Sequence, residues 1–342
     1  MIRTSHYLFA ALCLGSLFAC SRQFTDSYIV PKWCFAVFML FIVLAYEAVN
    51  ILFYRQNEQK DTRISVYGFI IVISCFLQAM FGVVQFFGFF QISTTLWVTG
   101  SFDNPAGFAA CLCAGFPFVG FLLSDSNKYI RYVGGLIGFV IVIAVILSQS
   151  RAGIMSIAFI CFILLNMKFF HKRWVKYLSL LCFALLLSGC YWMKKDSADG
   201  RLLIWRCSVS MVKDAPWLGH GIGSFEARYM DYQADYFRQY GLNRYSMLAD
   251  NVKHPFNEYL GVLLNFGFVG LLMILALITL LIYCYKKHPC AEKRIAFYSL
   301  ISIGVFSFFS YTFTYPFTWI VTFLCIIILT KEYIAKVFTC PI

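Results

Sequence analysis

Long apolar runs recur along this 342-residue chain, and they limit its fold more than any other feature. A segment needs about 20 mostly apolar residues to cross the roughly 30 Å hydrocarbon core of a bilayer. Ten runs reach or approach that length, at approximately 7–20, 33–54, 64–90, 105–124, 130–148, 153–170, 177–192, 257–285, 295–315 and 317–330. With 61% hydrophobic and only 13% charged residues, the chain is too apolar for a soluble domain.

These runs predict helices, because every backbone polar group in hydrocarbon must find a partner within the protein. Their residues also lack the strict alternation of barrel strands. We therefore predict an all-α, polytopic membrane helical bundle with about ten transmembrane helices. The bundle is expected to form one integral membrane domain over 1–342, surrounded by membrane lipids.

The net charge of +12 follows the loops and gives the chain an orientation. If the N-terminus is cytoplasmic, more than half of the 28 lysine and arginine residues fall in short cytoplasmic segments, such as 55–63, 171–176 and 286–294. The outer loop at 91–104 and the turn at 312–317 contain none. This asymmetry predicts that both termini are cytoplasmic, and it argues against nucleic acid as a partner.

One large hydrophilic segment, 193–253, lies between the seventh and eighth runs and is expected on the outer face. Its first part predicts a helix that begins near Gly200 and ends before Pro216, with Trp205, Val209 and Val212 as an apolar stripe. At 100° per residue, Arg206 points about 140° away from Arg201. The two arginines are therefore not expected to serve one site, and Arg201 is the stronger candidate.

The rest of this segment leaves two pairs of alternatives open. The stretch "GHGIGSF", with glycines at 219, 221 and 223, predicts either a tight turn or exposed N–H groups that hold an anion. A second helix is predicted from an N-cap at Ser224 to a C-terminal glycine at 241. Four tyrosines share one face of it, and they suit either the lipid headgroup layer or a platform for sugar rings: Tyr229, Tyr232, Tyr236 and Tyr240.

Ionisable residues at membrane depth are functional candidates, because a charge there costs several kcal/mol unless it is paired. Glu47 is expected to pair within the bundle. Arg151, in the short outer turn "SQSRAG", is either a snorkelling anchor or an anion-binding group. The fourteen cysteines lie mostly in apolar runs and are expected to be small packing residues rather than metal ligands.

The stretch "HPFNEYLGVLLNFGFVG", 254–270, opens the eighth run with polar side chains. Pro255 suits the first position of a helix, which makes His254 its cap. His254, Asn257 and Glu258 would then share one helical face, at spacings of three and four. A histidine with a pKa near 6.5 can take a proton from a hydroxyl group, and a neighbouring carboxylate can fix its tautomer.

In this order, the motifs "SQSRAG", "GRLLIWR", "DAPWLGHGIGSF" and "HPFNEYLGVLLNFGFVG" resemble the O-antigen ligase and polymerase superfamily of bacteria, over roughly 95–275. The resemblance implies a metal-independent, inverting glycosyltransferase of the bacterial inner membrane that needs no cofactor. Its donor would be a glycan on an undecaprenyl-diphosphate carrier, and its acceptor a hydroxyl group of lipid A-core, of a growing glycan or of a protein. The active site would be periplasmic.

The resemblance also assigns residues. Arg151 and Arg201, with Arg206 second, would bind the diphosphate, and His254, Asn257 and Glu258 would form the catalytic group. Asn257, nine residues and then Gly267-x-x-Gly270 fit the spacing of the family, but Phe256 stands where its histidine is expected. Either His254 has taken that role, or Glu258 is the base, or the enzyme relies on positioning and electrostatics alone.

Two other classes of protein remain as alternatives. A transporter or flippase for an anionic lipid-linked substrate would use the same arginines, but it predicts broken helices near the bilayer midplane and inverted repeats. The sequence shows neither. A non-catalytic membrane scaffold leaves Arg151, Arg201 and His254 without a role.

Overall fold

The computed structural model of the chain describes residues 2–53, 61–89, 98–168, 173–193 and 195–339. Within these ranges every regular element is a helix, which confirms the all-α prediction. The helices are α1 (Ile2–Phe18), α2 (Ile29–Phe53), α3 (Asp61–Phe86), α4 (Pro105–Gly115), α5 (Val119–Leu123), α6 (Lys128–Leu147), α7 (Arg151–Lys168), α8 (Arg173–Met193), α9 (Lys195–Asp214), α10 (Ser224–Tyr240), α11 (Glu258–Lys287), α12 (Ala291–Phe309) and α13 (Pro316–Thr339).

Each of the ten apolar runs overlaps a helix, and the run at 105–124 contains α4, a short 3₁₀ turn and α5. Five stretches of the described residues are long and apolar enough to cross a membrane: Ile29–Val49, Ile64–Phe86, Pro105–Leu123, Lys128–Leu147 and Glu258–Lys287. Shorter apolar helices occur at Thr4–Phe18, Arg151–Met167 and Trp174–Leu185. The chain is therefore a helical, multi-span membrane protein. Parts of two predicted loops, at 54–60 and 90–97, lie outside the described residues.

The helices form two compact units. Unit 1 comprises the described parts of 1–160, 284–304 and 312–342. In it α1 packs against α2 and α3, and α3 packs against α4 and α6. Glu47 accepts a hydrogen bond of 2.9 Å from the Ser5 hydroxyl, so its predicted pairing within the bundle is confirmed.

Helix α4 forms the centre of unit 1, because its small residues allow neighbouring helices to approach closely. Its buried residues include Cys111 and Cys113. The hydroxyls of Ser299 and Ser302 donate hydrogen bonds of 2.7 Å to the carbonyls of Ala114 and Cys113. Cys111 and Cys113 are thus small buried residues that pack in the core, as predicted.

Unit 2 comprises the described parts of 161–283 and 305–311 and contains the large hydrophilic segment. Helices α9 and α10 pack against each other around one apolar cluster, formed by Leu203, Ile204, Cys207, Met211, Phe225, Tyr229, Tyr245 and Leu264. Leu264 comes from α11, so this cluster joins the hydrophilic segment to a candidate membrane span.

Helix α11 is broken at Gly267, whose φ of +62° and ψ of −160° are not helical. The sequence predicted no broken helix, so this is a correction. A loop of the hydrophilic segment fills the break, and its backbone takes the place of the missing helical hydrogen bonds. The Phe268 N–H donates to the carbonyl of Pro216 at 2.8 Å, and the Val269 N–H donates to that of Trp217 at 3.2 Å.

Candidate functional site

Helix α9 presents Arg201 to the C-terminal end of α12. The helix ends at Asp214, before Pro216 as predicted, but it begins at Lys195 rather than near Gly200. The buried face of α9 is formed by Leu203, Ile204, Cys207 and Met211, whereas Val209 is exposed. Trp205 and Val212 also pack against the apolar cluster of unit 2, so the predicted Trp205, Val209 and Val212 stripe is confirmed for these two residues and wrong for Val209.

The guanidinium of Arg201 is half-buried and held from two sides. Its Nη1 donates a hydrogen bond of 2.7 Å to the carbonyl of Phe309, at the end of α12. Its Cζ lies 5.0 Å from the ring centroid of Phe256, in a cation–π contact. A guanidinium presents five donors in a planar fork, a geometry that suits the two oxygens of an anionic group.

The stretch before α11 differs from its prediction. The helix begins at Glu258, and Asn257 is its cap, because the Asn257 side-chain oxygen accepts the Leu260 N–H at 3.0 Å and the Asn257 carbonyl accepts the Gly261 N–H at 2.9 Å. The predicted start at Pro255 is wrong. The Pro255 carbonyl instead accepts the Trp205 indole N–H at 2.9 Å.

This later start changes how the three polar residues are arranged. His254 lies outside the helix, so helical spacing does not bring it onto one face with Asn257 and Glu258. The capping role accounts for the buried Asn257. Glu258 is the first residue of α11, where the positive end of the helix dipole favours a carboxylate.

The imidazole of His254 packs against an aromatic residue that the sequence did not suggest. It stacks on the ring of Tyr311, with centroids 4.6 Å apart and planes 23° from parallel. Burial lowers the pKa of His254 below its ordinary value of 6.5; nearby Glu226 opposes this shift and Lys253 adds to it. The shift favours the neutral imidazole at pH 7, which is the form that accepts a proton.

Phe256 contacts both Arg201 and Tyr311 through its ring, and it cannot itself act as a base. Its φ of +52° is unusual for a residue with a side chain. The Arg201 guanidinium lies over the face of the Phe256 ring. The same ring meets the Tyr311 ring edge to face, with centroids 5.3 Å apart. The departure from the histidine of the family is thus a packed aromatic residue with a strained backbone.

Sequence reasoning missed Phe309 and Tyr311. Both come directly after the apolar core of α12, far along the chain from their partners, so no local spacing pattern links them to Arg201 or His254. One weak signal was present: the turn at 312–317 was already predicted on the same outer face as the hydrophilic segment.

Arg206 belongs to a different group of side chains. Its Nη1 donates to the Tyr236 hydroxyl at 3.3 Å, and its Cζ lies 5.0 Å from the ring centroid of Tyr245. The hydrogen bond to Tyr236 raises the pKa of Arg206 above its ordinary value. The two arginines of α9 therefore contact different residues, and the expectation that they do not serve one site stays a prediction.

The tyrosine face of α10 packs largely within unit 2. Tyr229 is fully buried and stacks on Phe225, with ring centroids 4.9 Å apart. Tyr232 donates a hydrogen bond of 2.6 Å to Asp214, which raises the pKa of the tyrosine to about 12. The four tyrosines therefore do not form, as a set, either a surface in the lipid headgroup layer or a platform for sugar rings. The helix ends at Gly241 as predicted, but its N-cap is Gly223 rather than Ser224.

The glycine-rich stretch is a tight turn rather than an anion cradle. Gly219, Gly221 and Gly223 all have positive φ. The N–H groups of His220 and Gly221 donate to the carbonyls of Leu264 and Asn265 at 2.7 and 3.1 Å. These two N–H groups are thus already paired, so the anion-binding alternative is wrong for them.

Arg151 is the first residue of α7 and belongs to unit 1. Its turn is capped by Ser150, whose hydroxyl oxygen accepts the Gly153 N–H at 3.3 Å, and it contains Gln149 with a φ of +53°. The other predicted site residues belong to unit 2. A joint role of Arg151 and Arg201 stays a prediction.

Among the described residues, no group of three or more His, Cys, Asp and Glu side chains is placed to hold a metal ion. A family model described as O-Antigen ligase matches residues 136–275. No curated protein matches the chain significantly. The family match confirms the resemblance and supports a glycosyltransferase-like membrane enzyme. The matched segment contains all six predicted site residues, whereas Phe309 and Tyr311 lie beyond it.

Proposed function

We propose, from the match of residues 136–275 to the O-antigen ligase family model, that this protein moves a glycan from an undecaprenyl-diphosphate carrier to an acceptor hydroxyl group. The reaction would occur at the periplasmic face of the bacterial inner membrane, with both termini in the cytoplasm. An O-antigen ligase acting on lipid A-core is the first candidate. An O-antigen polymerase and a protein O-oligosaccharyltransferase have the same chemistry and stay open.

One observation supports the proposal most strongly: the Arg201 cation and the His254 base both contact one pair of packed rings, those of Phe256 and Tyr311. Arg201 lies over Phe256, Phe256 meets Tyr311, and Tyr311 stacks on His254. Transfer from a diphosphate carrier needs a positive group for the leaving oxygens and a proton acceptor for the attacking hydroxyl. This cluster supplies both from three separate segments of unit 2.

Arg201 is proposed to bind the diphosphate. The leaving group is already negative and gains charge as the glycosidic bond breaks, so a fixed guanidinium stabilises the transition state more than the ground state. The contacts to Phe309 and Phe256 hold the guanidinium in place before the donor binds. Arg151 and Arg206 are proposed as further diphosphate ligands, with Arg206 the weaker candidate because its contacts lie elsewhere.

His254 is proposed as the general base. The acceptor oxygen attacks the anomeric carbon while its proton passes to the imidazole, and the bond from that carbon to the diphosphate oxygen breaks. The electron pair of that bond leaves with the diphosphate, so the configuration at the carbon inverts. Glu258 is the alternative base. In this scheme Asn257 positions the start of α11, and no step needs a metal ion or cofactor.

The broken helix α11 is a feature that a transporter would also have. In transporters, however, the exposed carbonyls of the break coordinate the transported ion. Here the carbonyls of Leu264 and Asn265 accept N–H groups from the glycine-rich loop. The break therefore does not favour the transporter alternative.

The experiment that tests the proposal measures glycan transfer in a host that lacks the gene. Wild-type protein, Arg201→Ala and His254→Ala are compared at equal membrane expression, with separate readouts of lipopolysaccharide and glycoprotein. Loss of transfer together with accumulation of carrier-linked glycan supports the enzyme, and the readout that disappears identifies the acceptor. Unchanged transfer on deleting the gene contradicts the proposal.

A further inference from the structure

The loop between α9 and α10 is bound along its backbone to the break in α11. We call residues 215–223 the docked loop. Two of its N–H groups donate to Leu264 and Asn265, and two of its carbonyls accept from Phe268 and Val269. A methyl group added to Gly267 would lie 2.3 Å from the Trp217 carbonyl, so the two backbones are in direct contact.

The position of this contact along α11 places the docked loop at membrane depth. The two helical pieces of α11 together have 30 residues, about 45 Å of helix at 1.5 Å per residue, which matches a bilayer with its headgroups. Residues 264–269 lie about 9 to 17 Å along α11 from its N-terminal end by the same rise per residue. The headgroup layer takes up roughly 5 to 8 Å of that distance, so the contact falls within the hydrocarbon.

The side chains of the docked loop suit that depth. Trp217, Leu218 and Ile222 are 70%, 75% and 84% exposed. Phe266 and Phe268 of α11 are also exposed, and the Trp217 and Phe268 rings meet with centroids 6.2 Å apart. The apolar surface of the span therefore continues onto the loop at Trp217.

The one titratable side chain of the docked loop is tied to the protein. The Nε2 atom of His220 lies 2.7 Å from the carbonyl of Met211, and its Nδ1 atom lies 3.1 Å from an Arg228 nitrogen. With Nε2–H donating to the carbonyl, Nδ1 accepts from the guanidinium. The polar ring thus faces α9 and α10, while the apolar side chains of the loop are exposed.

We propose that the docked loop is a re-entrant segment whose Trp217, Leu218 and Ile222 side chains contact the acyl chains of the outer leaflet of the inner membrane. Irregular backbone is tolerated at membrane depth only where the protein satisfies its polar groups. The hydrogen bonds to the break in α11 supply those partners. The proposal depends on α11 crossing the membrane and is independent of any glycan chemistry.

The test uses the full-length protein in nanodiscs of phosphatidylethanolamine and phosphatidylglycerol. A photo-reactive benzoylphenylalanine replaces Leu218 or Ile222 in separate variants, and mass spectrometry measures the yield of lipid adducts after illumination. Leu272 of α11, 62% exposed, is the matched lipid-facing control, and Met247, 93% exposed in the 3₁₀ turn after α10, is the water-facing control. We expect yields at 218 and 222 close to that at 272.

Yields at 218 and 222 that equal the yield at 247 would overturn the proposal. A second measurement does not depend on the photo-reactive group. Leu218→Asp and Ile222→Asp should lower the apparent unfolding temperature in nanodiscs, because a carboxylate in hydrocarbon is costly, whereas Met247→Asp should leave it unchanged. Equal temperatures for all three variants would contradict the membrane contact. Because neither measurement uses substrate, their failure is distinct from failure of the proposed transferase activity.

Discussion

The imidazole of His254 stacks on the ring of Tyr311, with centroids 4.6 Å apart and planes 23° from parallel. His254 precedes α11, and Tyr311 follows α12, so the contact fixes the orientation of an imidazole that has no helix of its own. Burial at the same position favours the neutral imidazole. Orientation and protonation state together make His254 the favoured base over Glu258.

The lowered pKa of His254 predicts the pH dependence of transfer. Only the neutral imidazole accepts a proton, so the rate should reach a plateau at higher pH and fall as pH decreases through a pKa below the ordinary value of 6.5. Lys253→Gln removes a cation that lowers this pKa, and should move the acid limb to higher pH. Glu226→Gln removes the carboxylate that raises the pKa and should move the limb to lower pH.

The measurement is the transfer rate against pH in proteoliposomes, for the wild type and both variants. Opposite displacement of the acid limb by the two substitutions is the expected signature. If both variants retain the wild-type limb, His254 is not the group that titrates.

Tyr311 should act as a positioning residue through its ring. Tyr311→Ala removes the stacking partner of His254 and should lower kcat more than it raises KM, because the base loses its orientation in the transition state. Tyr311→Phe keeps the ring and should retain most of kcat. Steady-state kinetics with purified donor and acceptor separate the two constants. Equal kcat in the alanine and phenylalanine variants would exclude the stacking role.

The two arginines of α9 should differ in their effect on transfer. Arg201→Ala should reduce kcat/KM by about 100-fold or more, the usual effect of removing a fixed donor to developing charge. Arg201→Lys should not restore it, because an ammonium cannot reproduce the planar contacts to Phe309 and Phe256. Arg206→Ala is the comparison on the same helix and should reduce kcat/KM less than Arg201→Ala does, because Arg206 contacts Tyr236 and Tyr245 rather than Phe309 and Phe256. A larger loss in Arg206→Ala than in Arg201→Ala would reverse the assignment.

Gly267 should be required for the stability of unit 2. Gly267→Ala adds a methyl group at positive φ and 2.3 Å from the Trp217 carbonyl, so its cost should exceed the about 1–3 kcal/mol of left-handed strain alone. Gly261→Ala, in the same helix, meets only the Pro255 ring at 3.6 Å and should be neutral or stabilising. Apparent unfolding temperatures in detergent compare the two. A Gly267→Ala protein as stable as the wild type would contradict the backbone contact.

Sequence patterns predicted those features of the fold that depend on local chemistry. Pro216 marks the end of α9, and Gly241 ends α10. The start of α11 was wrong because two local signals competed there. Pro255 suits a first helical position, but the side chain of Asn257 satisfies the Leu260 N–H and the Pro255 carbonyl bonds to Trp205.

Contacts between distant segments could not be predicted in the same way. Helical spacing shows that Tyr229 and Tyr236 share a face of α10, but not that α9 and its neighbours cover much of that face. Likewise, the glycines at 219 and 267 each indicate an unusual backbone, and only the fold shows that they meet. For Tyr311 the sequence indicated only a neighbouring turn on the outer face, and not the contact with His254.

The most direct test of the account is single-turnover glycan transfer in proteoliposomes with purified carrier-linked glycan and a hydroxyl acceptor, comparing wild type, His254→Ala and Glu258→Gln. The account predicts that His254→Ala slows transfer by about 10²–10⁴-fold, the usual contribution of a general base, while donor binding is retained and Glu258→Gln stays active. Full activity of His254→Ala, with loss of transfer in Glu258→Gln, would contradict the account and make the carboxylate the base.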